Sequence, residues 1–187
     1  MLKELIENYK PSCMQEEKDK EVIQKYLAIF NNLATRENEF AHFTSSAFIV
    51  NHDHTKVLMA YHNIYKSYAW LGGHLDGDTN TLNVAIKEAK EESSIKNLNV
   101  LNKTPISLDV IEVTGHFKKG VWVTPHVHLN ITYLFEGNEL EEIHEKEDEN
   151  SKVAWLPIEE LDNLVNEENM KVIYKKIIKK MLDNFNS

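Results

Sequence analysis

Residues 70–95 read WLGGHLDGDTNTLNVAIKEAKEESSI, a pair of glycines followed by a helix-forming run that carries Glu88, Glu91 and Glu92. Positions three and four apart lie on one side of a helix, so Glu88 sits over both Glu91 and Glu92 and the carboxylates are expected to form one patch. Like charges at that spacing repel, and a divalent cation with hard oxygen ligands turns the repulsion into coordination. The stretch therefore predicts a magnesium or manganese site on a helix entered from a glycine loop. Leu82, Ala85, Ile86 and Ala89 recur at helical spacing and turn toward a core, leaving the glutamates on the flank beside that stripe. A metal-bearing helix needs this division, with one side anchored and the other open to substrate.

The spacing resembles the box of the Nudix hydrolases, Gly-x5-Glu-x7-Arg-Glu-apolar-x-Glu-Glu-x-Gly-apolar. Counted from Gly73, the residues Glu88, Ala89, Glu91, Glu92 and Ile95 fall in register. Thr79 stands where the pattern has glutamate, Lys87 where it has arginine, and Ser94 where it has the second glycine. The resemblance implies a Mg2+ (or Mn2+) enzyme that cleaves a nucleoside diphosphate linked to another group, with water attacking phosphorus. It implies that Glu88, Glu91, Glu92 and the Gly72 carbonyl hold the cation. Lys87 keeps a positive charge beside them without the rigid fork of arginine, and Asp78 is the candidate to replace the missing acid. A serine takes the left-handed conformation that ends a helix only with strain, so the helix is expected to end differently, with Asn97 as the alternative cap. Because three box positions depart, a Nudix-fold nucleotide-binding module with weak or no turnover is the alternative reading. An isomerase or another metal enzyme has less support, since no further cysteine or histidine constellation is evident.

Outside this stretch, 187 residues with 42% hydrophobic content suffice for one core. The 21 basic against 30 acidic residues give a net charge of −9, which disfavours nonspecific attraction to a nucleic-acid backbone or an anionic membrane. The expected partner is a small nucleoside diphosphate derivative, drawn in through bound cations; a homodimer is compatible with the sequence. The single Cys13 excludes an intrachain disulfide and fits a reducing compartment. No signal-peptide core or membrane-length apolar run is evident, so the expected setting is cytoplasmic.

In chain order, residues 2–9 predict a short helix stopped by Pro11. Ser12 and Gln15 have capping-box spacing ahead of a second helix that ends near 31–35. Residues 1–38 are expected to be a helical extension packed on a domain spanning 39–187. SSAFIV and KVLMAY flank the turn-prone residues 51–55 and predict a hairpin. Further strands are expected over 105–113, 126–135 and 153–156, a short helix after Pro157, and a last helix over 167–184 whose lysines 171, 175, 176, 179 and 180 form a solvated face. The interleaved order predicts an α/β fold with a mixed sheet covered by helices on both sides. The Nudix resemblance, which extends over roughly 40–165, implies the same α/β/α sandwich.

His126 and His128 alternate on a strand and share a face, where they form a candidate ligand pair with His74 or His116. With no cysteine pair or second spaced histidine motif, a structural or substrate-contacting role is preferred over zinc. His74 is expected in the loop near the phosphates. Residues 125–130, PHVHLN, also resemble a Nudix subgroup in which this strand borders the active site, which makes His126 and His128 candidate substrate contacts. The acidic run at 145–150 reads as a solvated loop, yet many Nudix proteins carry a further acid just before such a tryptophan as Trp155. Glu149 is the candidate for that catalytic acid, with Glu147 and Asp148 close behind. Trp122, Phe117 and Tyr133 are able to stack on a base, although strand aromatics more often belong to a core.

Overall fold

Strand β1 (Ala41–Val50) is buried along all of its 10 residues and organises the sheet. A strand covered on both faces has no use for alternating polarity, and AHFTSSAFIV carries small or apolar side chains on both sides in its second half. In the computed structural model, which describes residues 2–145 and 150–185, β1 runs parallel to β9 (His126–Gly137) from Ala41↔Val127 to Val50↔Glu136. Its other edge is shared between two antiparallel partners. β2 (Lys56–His62) takes the end at Ile49 and Val50, and β4 (Leu71–His74) takes Thr44 to Ala47. The outer edge of β9 is divided in the same way between β5 (Leu98–Val100) and β6 (Ser107–Val113). With β3 (Ser67–Ala69) and β10 (Asn150–Pro157) on β2, the result is a curled, mixed sheet in the order β10-β2-β1-β9-β5. A separate hairpin pairs β7 (His116–Lys118) with β8 (Val121–Val123).

Side chains alternate across a strand, so each face collects its own core. Phe43, Ala47 and Ile49 of β1 join Leu129, Ile131 and Phe135 of β9 with Val84, Ala85 and Ala89 of helix α3 (Thr81–Ser93). The same cluster takes in Ile6 of α1 (Leu2–Asn8) and Ile23 of α2 (Met14–Ile29). On the opposite face Phe48, Val50 and Leu134 pack with Leu161 of α4 (Leu161–Leu164) and Ile173, Ile177 and Met181 of α5 (Glu168–Phe185). Each fully buried aliphatic or aromatic side chain contributes about 1.5–3 kcal/mol. Helices thus cover both faces, the α/β/α arrangement expected from the element order.

Several local expectations are corrected. The two glycines lie in strand β4, not in a loop. Helix α2 starts at Met14 without a side-chain cap from Cys13; the Ser12 N–H and hydroxyl instead donate to Glu16 Oε2 at 2.9 and 3.1 Å, one position beyond the expected capping pair. Helix α3 ends at the position the Nudix pattern marks, because Ser94 adopts φ 59°, ψ 10° and its N–H bonds the Lys90 carbonyl at 2.9 Å. Asn97 donates to Glu141 at 2.6 Å and takes no part in the cap. The α5 lysines are not a uniform solvated face. Lys176 and Lys180 are 10% and 18% exposed and pair with Glu16, itself fully buried. Among the described residues, no helix is long and apolar enough to cross a membrane.

Candidate active site

The site is built where α3 crosses β4. A Cβ on Gly72 would lie 2.6 Å from the Ser45 carbonyl oxygen and 2.7 Å from Ser46 Oγ, so only glycine lets β4 approach β1 this closely. A Cβ on Gly73 would lie 2.5 Å from Glu88 Oε2, the place the Glu88 carboxylate occupies. One turn on, Glu92 Oε2 accepts the Gly72 N–H at 2.9 Å, and Asn150 Nδ2 donates to Glu92 Oε1 at 3.4 Å. Lys87 Nζ lies 3.3 Å from Glu88 Oε1 and 3.7 Å from Glu91 Oε1, and the Glu88 carboxylate holds the ammonium above its usual range. Glu88 and Glu91 are bridged in this way by the Lys87 ammonium. Among the described residues, the one group of three potential ligands with all donor atoms within 4.8 Å is His42, His74 and His128.

That histidine group lies on the face of the sheet opposite α3. Even-numbered residues of β1 and β9 face the α5 side, and near the start of β1 they become polar: His42, Thr44 and Ser46 beside His126, His128 and Asn130. Asn130 Oδ1 accepts from Thr44 Oγ1 at 2.8 Å and from Ser46 Oγ at 2.9 Å, which fixes the floor beneath the rings. The His42 ring lies 5.0 Å from His74, 4.8 Å from His126 and 5.1 Å from His128. Burial pushes the pKa of His42 down, that of His74 to about 3 with the His42 charge adding, and that of His128 well below its ordinary value. The imidazoles are therefore neutral at physiological pH. The expected pairing of His126 with His128 and His74 on one side is present, although His74 sits in a strand among rings. His116 stands apart on the hairpin with Nδ1 on the Thr114 carbonyl at 2.9 Å. His42 was missed; its signal was the even position it shares with Thr44 and Ser46, in a strand whose odd positions are apolar apart from Ser45.

A model of the NUDIX domain matches residues 41–181. The chain belongs to the NUDIX family. Nudix hydrolases act on phosphoanhydride bonds, and that is the reaction class of this chain. Among solved structures it is similar to a NUDIX-family hydrolase from Clostridium perfringens, with 26% identity, a TM-score of 0.56, and coverage of 75% of this chain and 97% of that one. An Ap4A hydrolase from C. elegans shares the fold at 15% identity and a TM-score of 0.55, over 77% of this chain and 97% of its own. The dihydroneopterin triphosphate pyrophosphohydrolase of E. coli does so at 16% identity and 0.52, over 76% and 95%. No curated protein matches the sequence at a significant level.

The departures from the Nudix box now have positions. Lys87 pairs with the box glutamates themselves, not with Asp78, whose Oδ1 accepts the Asn80 N–H at 2.8 Å in the turn before α3. Asn80 in turn caps the helix by accepting the Asn83 N–H at 3.2 Å. Of the candidate stacking aromatics, Tyr133 is core, 1% exposed, with its hydroxyl 2.6 Å from that of Thr81. Phe117 and Trp122 are 68% and 52% exposed and meet edge to face at 5.1 Å on the β7–β8 hairpin. Glu149, with Glu147 and Asp148, lies outside the described residues.

Proposed function

We propose that this Nudix hydrolase is a Mg2+ (or Mn2+)-dependent pyrophosphohydrolase of a nucleoside diphosphate linked to another group. The observation that carries the reading is the Glu88 carboxylate seated against Gly73, in a space that any side chain there would fill. Oxygen donors from Glu88, Glu91, Glu92 and the Gly72 carbonyl suit a hard cation in kind and in charge. When bound, such an ion neutralises charge on the phosphoryl oxygens and lowers the pKa of its water. The chain's own groups orient the rest. Gly72 N–H fixes one oxygen of Glu92, and the Lys87 ammonium lies across Glu88 and Glu91, offsetting part of their mutual repulsion. One of the box glutamates, or Glu149 outside the described residues, is the proposed general base that takes the proton of the attacking water. His74, His126 and His128 are proposed to border the substrate, presenting ring edges to a base or sugar. A cytoplasmic setting and a small-molecule partner, without nucleic acid or membrane, complete the proposal.

The test is a panel of nucleotide sugars, dinucleoside polyphosphates, oxidised nucleotides and ADP-ribose, assayed with and without magnesium. Metal-dependent release of two phosphate-bearing products from one of them is expected. Nucleotide binding with magnesium but no turnover across the panel would favour the binding-module alternative. Turnover that survives exhaustive chelation would remove the metal from the reading.

A further inference from the structure

The histidine group on the sheet face has a donor set unlike that of α3. We propose that His42, His74 and His128 bind a divalent ion of the zinc class through one ring nitrogen each, at a second site on the other face of β4. The donor atoms already lie within 4.8 Å of one another. His42 is 5% exposed, and its Nδ1 faces the Asn38 carbonyl at 3.0 Å. A carbonyl only accepts, so Nδ1 carries the proton and Nε2 presents a lone pair. Among the described residues that buried Nε2 has no hydrogen-bond partner. An unpaired buried acceptor carries an uncompensated desolvation cost, which coordination would remove.

The neighbouring ring supports the same chemistry. His126 Nδ1 faces the Thr124 carbonyl at 2.8 Å, which leaves its Nε2 as a second lone pair, 3.3 Å from His128 Nε2. With Zn–N bonds of about 2.0–2.1 Å, two vertices of a tetrahedron stand about 3.3–3.4 Å apart. His126 is therefore placed beside the fourth position. A ring N–H held by a backbone carbonyl is the contact that usually orients a metal-binding histidine. Neutral imidazoles without a carboxylate among them suit zinc, copper or nickel rather than magnesium. An ion here would fasten β4, with its glycines, to β1 and β9, since His74, His42 and His128 come one from each strand. The inference does not rest on the magnesium reading of α3.

The experiment uses the full chain free of any added histidine tag. Metal-free protein is mixed with equimolar zinc, desalted and analysed for metal, and zinc affinity is measured by calorimetry without substrate. One zinc per chain, a raised Tm, and the intense visible absorption of tetrahedral cobalt after substitution are expected. His74→Ala and His128→Asn should each weaken zinc binding by about a hundredfold or more, while Glu92→Gln keeps the full zinc content. His42→Gln serves as a third variant if it folds; the two others decide the matter without it. Zinc lost on desalting, a six-coordinate cobalt spectrum, or unchanged zinc affinity in both His74→Ala and His128→Asn would overturn the site. Histidine variants that alter only KM would do the same, assigning the rings to substrate alone. Hydrolysis with magnesium is read separately, so failure of either proposal is distinguishable from failure of the other.

Discussion

Glu92 is bonded to the backbone of the strand it faces, through Gly72 N–H at 2.9 Å, and to Asn150 at 3.4 Å. Glutamine matches its shape and keeps one acceptor for Gly72, so Glu92→Gln should leave the Tm within a degree or two. What it removes is one negative charge at the proposed cation site. Losing a charged ligand where phosphoryl charge is stabilised should lower kcat by about a hundredfold or more. An active Glu92→Gln enzyme would show that Glu92 holds no metal. Lys87 offers a test of a different kind. Its ammonium serves Glu88 and Glu91 directly, whereas the Nudix pattern puts an acid at position 79 and arginine at 87. Lys87→Arg combined with Thr79→Glu should raise turnover by more than the single changes together, because the new carboxylate then gains a guanidinium partner and the guanidinium an acceptor for its fork. Strictly additive rates would show that this pair does not limit the enzyme.

At the scale of elements, β4 and α3 are fitted to each other through glycines and a helix end. Gly73→Ala puts a methyl where the Glu88 carboxylate sits. The flexible glutamate should swing away, costing little stability but at least about tenfold in kcat, as for any misplaced ligand. Normal turnover in Gly73→Ala would sink the idea that this seat matters. Ser94 makes the opposite case, since it is exposed and holds φ 59°, a conformation free of penalty only for glycine. Ser94→Gly should stabilise the fold by about 1 kcal/mol in urea unfolding, and no gain would mean the serine is unstrained. These elements also mark what sequence could reveal. Helical periodicity placed α3, its apolar stripe and its glutamates, because those depend on neighbours three and four apart. The meeting of His42 with His74 and His128 depends on the parallel pairing of β1 with β9, separated by more than eighty residues, and no local spacing encodes that register. Lys176 and Lys180 were misread for the same reason, as their partners lie on α2 and β6.

For the whole molecule, that lysine pair ties both ends of the chain to the sheet. Lys180 Nζ contacts Glu16 Oε1 at 2.7 Å, the Tyr9 hydroxyl at 2.8 Å and the Ile106 carbonyl at 2.6 Å, and Lys176 pairs with Asp109 and Glu16. We propose that residues 1–38 are in this way an integral extension of the 39–187 domain. Burial raises the Glu16 pKa, but the Lys180 hydrogen bond, the Ser12 N–H and the lysine charges outweigh it, and the carboxyl falls from 4.5 to about 2. A folded pKa below the unfolded one means stability that is fully present above about pH 4.5 and lost as pH falls toward 2. The amount is on the order of 3 kcal/mol. Asp19 acts in the opposite sense. Its pKa is raised, chiefly by burial, so its protonation on acidification favours the fold and offsets part of that loss. Glu16→Gln removes the carboxylate partner of the buried Lys180 ammonium, while Lys176 keeps Asp109, and should cost about 3 kcal/mol at pH 7. It should also flatten the acid limb, since the group that titrates is gone. Urea unfolding of both proteins at pH 7, 4 and 3 measures each effect. If Glu16→Gln loses stability on acidification as steeply as the wild type, the tie between α2 and α5 is not what acid breaks.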